Sequence, residues 1–176
     1  MPLAFPAALL PLALLPSLVP PATATDADFD PATAFIPPKA ISYAPDLLPY
    51  GSHVRVTLAE SPGRTTVGVE LTGVAPGTEF PAHVHTGTCG ADPAAAGPHY
   101  QHWADPVQPS TDPAYANDRN EVRLTVRTDG SGSGSARSTV VWRFRPGEAR
   151  SVVLHTARAA GKHAAGDRVG CVDVEF

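Results

Sequence analysis

Val54, Val56 and Leu58 alternate with Arg55, Thr57 and Ala59, and Val67, Val69 and Leu71 alternate with Gly68, Glu70 and Thr72. The same happens for Val122, Leu124 and Val126 with Arg123, Thr125 and Arg127, and for Val140, Trp142 and Phe144 with Thr139, Val141 and Arg143. A period of two turns one face of a segment to a core and the other to solvent, so these are strands and not helices. Ser61-Pro62-Gly63-Arg64 supplies the turn of a first hairpin, Gly73-Val74-Ala75-Pro76-Gly77 the next connection, and Asp129 to Ser135 a Gly/Ser turn. Shorter candidates are Ala40 to Tyr43, Phe80 to His85, Arg150 to His155 and Val169 to Phe176. With no convincing helix, the expectation is an all-β domain of about eight strands, a β-sandwich or flattened barrel. One connection is unusually long, from Gly87 to about Asn120. A loop of that length in a compact domain is functional or disordered.

A chain of 176 residues, 43% hydrophobic, is long enough for one domain and too short for two. We place it at 40–176. Residues 1–24 carry no charge, and Leu9 to Leu15 form an apolar centre followed by Ala22-Thr23-Ala24, a pattern of a cleaved export signal. A positive start is missing and six prolines interrupt the segment, so an apolar tail is the other reading. The apolar run falls short of the roughly 20 residues that a membrane span needs, and stable insertion is not expected once the signal is removed. Residues 25–39, rich in Pro, Ala and Asp, read as a linker. A net charge of -4 without a basic run argues against nucleic acid as a partner.

The chemistry concentrates in Phe80-Pro81-Ala82-His83-Val84-His85-Thr86-Gly87-Thr88-Cys89, continued by Ala96-Gly97-Pro98-His99. Two histidines separated by one residue project from the same face of a strand and can share a metal ion. His99 follows in a Gly/Pro loop that can fold back on the pair. Imidazole suits copper, zinc, iron and nickel, so the ion is not named by these residues. Cys89 and Cys171 stand 82 positions apart. In an exported chain they suggest one structural disulfide, with two buried thiols as the alternative.

Four pieces, taken in order, resemble the copper,zinc superoxide dismutase family: His83-Val84-His85, Ala96-Gly97-Pro98-His99, Arg150-Ser151-Val152-Val153-Leu154-His155, and Gly166-Asp167-Arg168-Val169-Gly170-Cys171. The resemblance runs from about Ile41 to Phe176 and implies an eight-stranded Greek-key barrel with the metal held outside it. It implies His83, His85, His99 and His155 as copper ligands and a Cys89 to Cys171 disulfide tying the metal loop to the last strand. It also implies Arg168 as the arginine that draws a small anion to the copper.

The zinc half of the family pattern is incomplete. After His99 the loop holds only His102, and Tyr115 stands where a histidine would precede Asp118. His102 and Asp118 are thus candidates for a remnant of a zinc site or for supporting groups around the ligands. The segment from His155 to Cys171 is also short and lacks the carboxylate that joins the two metal sites in zinc-bearing members. This looks like a copper-only branch, and zinc is not expected. His99 then needs another orienting partner, for which we expect Asp118, Asp112 or Asp105. His53 and His163 are expected to face solvent, and Tyr100 and Trp103 to pack. The functional expectation is an exported copper-dependent superoxide dismutase with superoxide as its partner. A copper-binding or storage protein on the same fold is the alternative, and a metal-free Ig-like interaction domain a third; Arg168 favours the enzyme, since storage needs no anion guide.

Overall fold

The computed structural model describes residues 22–34, 36–159, 161–164 and 166–176. Nine strands are present among them: β1 Thr23–Pro31, β2 Ala40–Ser42, β3 His53–Ser61, β4 Arg64–Thr72, β5 Glu79–His85, β6 Arg123–Arg127, β7 Gly134–Val140, β8 Ser151–His155 and β9 Arg168–Asp173. They make one sheet in the order β6, β5, β8, β9, β2, β1, β3, β4, β7. All neighbours are antiparallel except β1 and β2, and the two end strands, β6 and β7, lie against each other. The sheet is thereby rolled into a nearly closed, all-β barrel.

Its inside is filled by the apolar set that the alternation marks. Val54, Val56, Val67, Leu71 and Val126 are at most 1% exposed. Fully burying one such side chain is worth about 1.5–3 kcal/mol, so a barrel that buries several from each pair of strands holds its register firmly. On β5 the inward residues are Phe80, Ala82 and Val84, which leaves Pro81, His83 and His85 on the outer face. That face is covered by the long loop from Thr86 to Glu121, which includes one 3-10 turn at Pro93–Ala96. Cys89 and Cys171 are joined as a disulfide with their Cα atoms 5.6 Å apart, tying this loop to β9. On a chain-entropy account, closing a loop of this size contributes about 4 kcal/mol.

Two segments differ from expectation. The stretch 25–39 is not a linker through its whole length, because Thr23–Pro31 is a ninth strand, β1, paired with β3 from Thr23 with Leu58 to Asp28 with His53. Its period is faint in hydropathy because Phe29 is its one fully buried side chain and only the small Ala27 packs beside it against the core, while Asp26 and Asp28 face outward. These acids are held by cross-strand partners: Asp26 accepts from Arg55 at 2.9 Å, and Asp28 meets Nδ1 of His53 at 2.8 Å. Residues 1–21 of the expected export signal lie outside the described residues; Thr23 and Ala24 open β1. The second difference is β7, which occupies Gly134–Val140 rather than the stretch Thr139 to Phe144. Gly134 sits so close to β6 that a Cβ there would lie 2.3 Å from the Arg127 carbonyl oxygen, so a residue read as turn chemistry is a strand position open only to glycine. Trp142 and Phe144 still pack inward beyond the end of the strand.

The β1 to β3 contact is sensitive to pH. The hydrogen bond to Asp28, helped by Asp26, raises the pKa of His53 above its ordinary value of 6.5. A raised histidine stabilises the folded chain below the unfolded pKa, and that contribution is lost as pH rises through the folded value. Replacing His53 by Gln will therefore lower the urea midpoint more at about pH 5.5 than at about pH 8.5. Equal losses at both would show that the charged pair contributes nothing.

Candidate metal centre

Register brings together histidines distant in sequence. β5 lies between β6 and β8, with His83 paired across to Val153 and to Arg123, and His155 closes β8 beside a bulge toward β9. The loop returns so that His99 forms a β-bridge with His85. His83, His85, His99 and His155 each offer one ring nitrogen, and these atoms all lie within 4.8 Å of one another. The His83 and His99 rings stack with centroids 4.0 Å apart, and the His83 and His155 rings meet edge on at 5.1 Å.

Each ring except that of His83 is pinned by its Nδ1. His85 donates to the Gly97 carbonyl at 2.9 Å, His155 to the Gly166 carbonyl at 3.0 Å, and His99 bonds Glu121 Oε2 at 3.1 Å. Gly97 can present its carbonyl because its φ of 69° is open to glycine, and a Cβ there would strike Thr86 Oγ1 at 2.7 Å. Within the cluster three buried atoms are left with no partner, His83 Nδ1, His85 Nε2 and His155 Nε2, and outside it His102 Nδ1 is a fourth. A buried polar group left unpaired costs about 1–3 kcal/mol, so this grouping is a cost to an ordinary core and an asset to a metal site. Burial, and then the neighbouring histidines, push the pKa of His83 down to about 2. Burial likewise lowers His85 to about 3 and His155 to about 4. The rings are therefore neutral at ordinary pH, the form that binds metal. A hollow of about 480 Å³ lined by Pro81, His83, His99, His155, Thr156, Ala157 and Gly166 opens over them. A larger hollow, about 570 Å³, lies between the start of β1 and the end of β9 and includes none of these histidines.

Arg168, at the start of β9, donates Nη1 to the Pro93 carbonyl at 2.8 Å and Nη2 to Gly97 at 2.7 Å. It thus shares an acceptor with His85 and stands beside the cluster. His102 and Asp118 do not join the four histidines. The His102 ring stacks on Trp142 at 5.1 Å and 5°, and Asp118 is 87% exposed.

The expected orienting carboxylates are corrected. Asp112 caps Ala114 N–H, Asp105 accepts from Val107 N–H and Ser110 Oγ, and Asp118 approaches only Arg123, at 3.9 Å. Glu121 takes the place instead. It is 2% exposed and accepts from Gln101 at 2.8 Å and from Arg123 at 2.8 Å as well as meeting His99. Burial pushes its carboxyl pKa upward, but the bonds from His99, Gln101 and Arg123 outweigh that and hold it at about 2. The signal was available: if Val122 and Leu124 point inward, Glu121 and Arg123 share the outer face, and Arg123 pairs with His83. His163 is also corrected, since its side chain is only 11% exposed and bonds Asp46 at 3.1 Å. Tyr100 packs as expected, whereas Trp103 is 68% exposed.

No family model matches the sequence, and no curated protein matches it. Among solved structures, a double mutant of a SOD-like protein from Bacillus subtilis aligns with a TM-score of 0.47 at 14% identity, covering 72% of this chain and 92% of that one. A Cu/Zn superoxide dismutase from Brucella abortus aligns with a TM-score of 0.47 at 20% identity, covering 87% of this chain and all of that one. Both likenesses are too distant to carry a functional assignment, which rests on the residues themselves.

Removing Glu121 strands a histidine, an amide and a guanidinium together. Glu121→Ala is expected to cost about 2–4 kcal/mol in urea unfolding of the metal-free protein, against less than about 0.5 kcal/mol for the exposed Asp118→Ala. Similar losses for both would remove Glu121 as the group that braces His99.

Proposed function

We propose that the chain is an exported, copper-dependent superoxide dismutase of the copper-only type. The observation that carries this reading is the set of four imidazoles whose ring nitrogens lie within 4.8 Å of one another, three of them with a buried nitrogen left unpaired, beside a guanidinium held by two carbonyls. Four nitrogens from His83, His85, His99 and His155 suit the tetragonal preference of copper(II). A bound copper would supply one-electron chemistry, accepting an electron from one superoxide to give oxygen and passing it to a second, which with two protons becomes hydrogen peroxide.

The chain's own residues do the rest. Arg168, held by two backbone carbonyls, offers a permanent positive charge and paired donors to a small oxygen anion. Such a charge at the mouth raises the rate at which anions arrive. Glu121 keeps the Nδ1 side of His99 engaged, so Nε2 is the atom left for the metal, and the open hollow lets solvent supply protons. Zinc has no part in this reading, because the second nitrogen of His99 is already taken by a carboxylate. Export is supported by the charge-free apolar segment 1–24 and by a disulfide, which belongs to oxidising compartments.

The test combines copper content with superoxide decay. The copper-loaded protein should hold about one copper per chain and remove superoxide, and Arg168→Ala should keep its copper while slowing removal roughly tenfold or more at low salt. Full copper loading without superoxide removal would instead make the protein a copper carrier, and equal rates for both proteins would remove Arg168 from the mechanism.

A further inference from the structure

In the family that the sequence resembles, zinc sits beside the copper, and here the residues do not fit it. A structural zinc takes four protein ligands. In this chain His102 is stacked on Trp142, away from the four histidines, and the Nδ1 of His99 is engaged by Glu121. Something else fills the ground next to His99. Arg123 reaches Glu121 Oε2 through Nε at 2.9 Å and Nη2 at 2.8 Å, the same oxygen that His99 Nδ1 meets at 3.1 Å. Its Nε also lies 3.9 Å from Asp118 Oδ1. The guanidinium therefore stands among His99, Glu121 and Asp118, the groups that a divalent cation at this position would use.

We infer that Arg123 is a built-in cation, holding the place of a second metal and limiting the protein to one. A guanidinium is permanently charged, so it cannot give way by losing a proton. It neutralises Glu121, whose side chain is 2% exposed and needs a cationic partner wherever it is buried. A divalent ion brought to the same place would meet like charge and would have to displace two hydrogen bonds as well as the His99 proton. Arg123 can hold this post because β6 is an end strand and the register sets it directly across from His83. This role depends on reading the four histidines as the copper site, but its test does not depend on catalysis.

The experiment is zinc uptake by protein whose four-histidine site has first been filled with copper, followed by dialysis and metal analysis. Wild type is expected to retain almost no zinc, whereas Arg123→Ala, or Arg123→Met should the alanine variant fail to fold, takes about one zinc per chain on His99, Glu121 and Asp118, with water as the fourth ligand. Arg123→Lys, which keeps the charge, stays at the wild-type level. Nitrogen NMR of the histidines, recorded with the copper reduced to diamagnetic copper(I), gives a second readout: zinc removes the Nδ1 proton of His99 in Arg123→Ala and leaves it in wild type. The inference is overturned if the alanine and methionine variants take up no more zinc than wild type, or if the lysine variant takes up as much as the alanine variant. Should wild type hold no copper, the proposed function fails by itself, and the same zinc difference is then read on the metal-free proteins.

Discussion

Neutral imidazoles buried with one nitrogen bonded and the other bare are the constraint on which the site depends. A histidine in water can satisfy both nitrogens; here the backbone takes one from His85 and one from His155, and the opposite atoms are left facing the cluster. Burial holds these rings uncharged, so protons do not compete for the bare nitrogens at ordinary pH. The cost of that arrangement is met by the barrel. Two of the rings ride on a strand whose other face is locked into the core by Phe80, Ala82 and Val84.

The clamps come from loops, and the loops are themselves fastened. Gly97 serves His85 and Arg168 together, so the guanidinium and a cluster ring share one carbonyl, with Pro93 as the second hold on Arg168. The disulfide ties the same loop to β9, the strand on which Arg168 stands. On the far side, Glu121 gathers His99, Gln101 and Arg123, and Gln101 in turn accepts from Asp105 N–H and Gln108. A loop with little regular structure thus becomes a fixed wall, held by buried polar bonds that would be expensive to break singly.

Much of this was legible because strand periodicity is a local property. The alternation of Val54 to Ala59 and of Val67 to Thr72 marked β3 and β4, and the His83-Val84-His85 spacing put two rings on one face without knowledge of their neighbours. What escaped depended on partners far along the chain. β1 has one large apolar residue, Phe29, and is placed by its ladder with β3, where Arg55 and His53 meet its acids. Gly134 read as a turn because its reason for being glycine is the Arg127 carbonyl on another strand. Glu121 carries no local mark that sets it apart from the loop aspartates, although the inward positions of Val122 and Leu124 fix its face.

The central claim is that four imidazoles share one copper ion. X-ray absorption at the copper edge, on the protein loaded with a single equivalent, tests this most directly, because scattering from the imidazole ring counts histidine ligands irrespective of activity. The account predicts a first shell of nitrogens from four histidines in the copper(II) protein, losing one imidazole in each single His→Ala variant at 83, 85, 99 and 155. A shell dominated by oxygen, or one unchanged when any of these four is replaced, would contradict it.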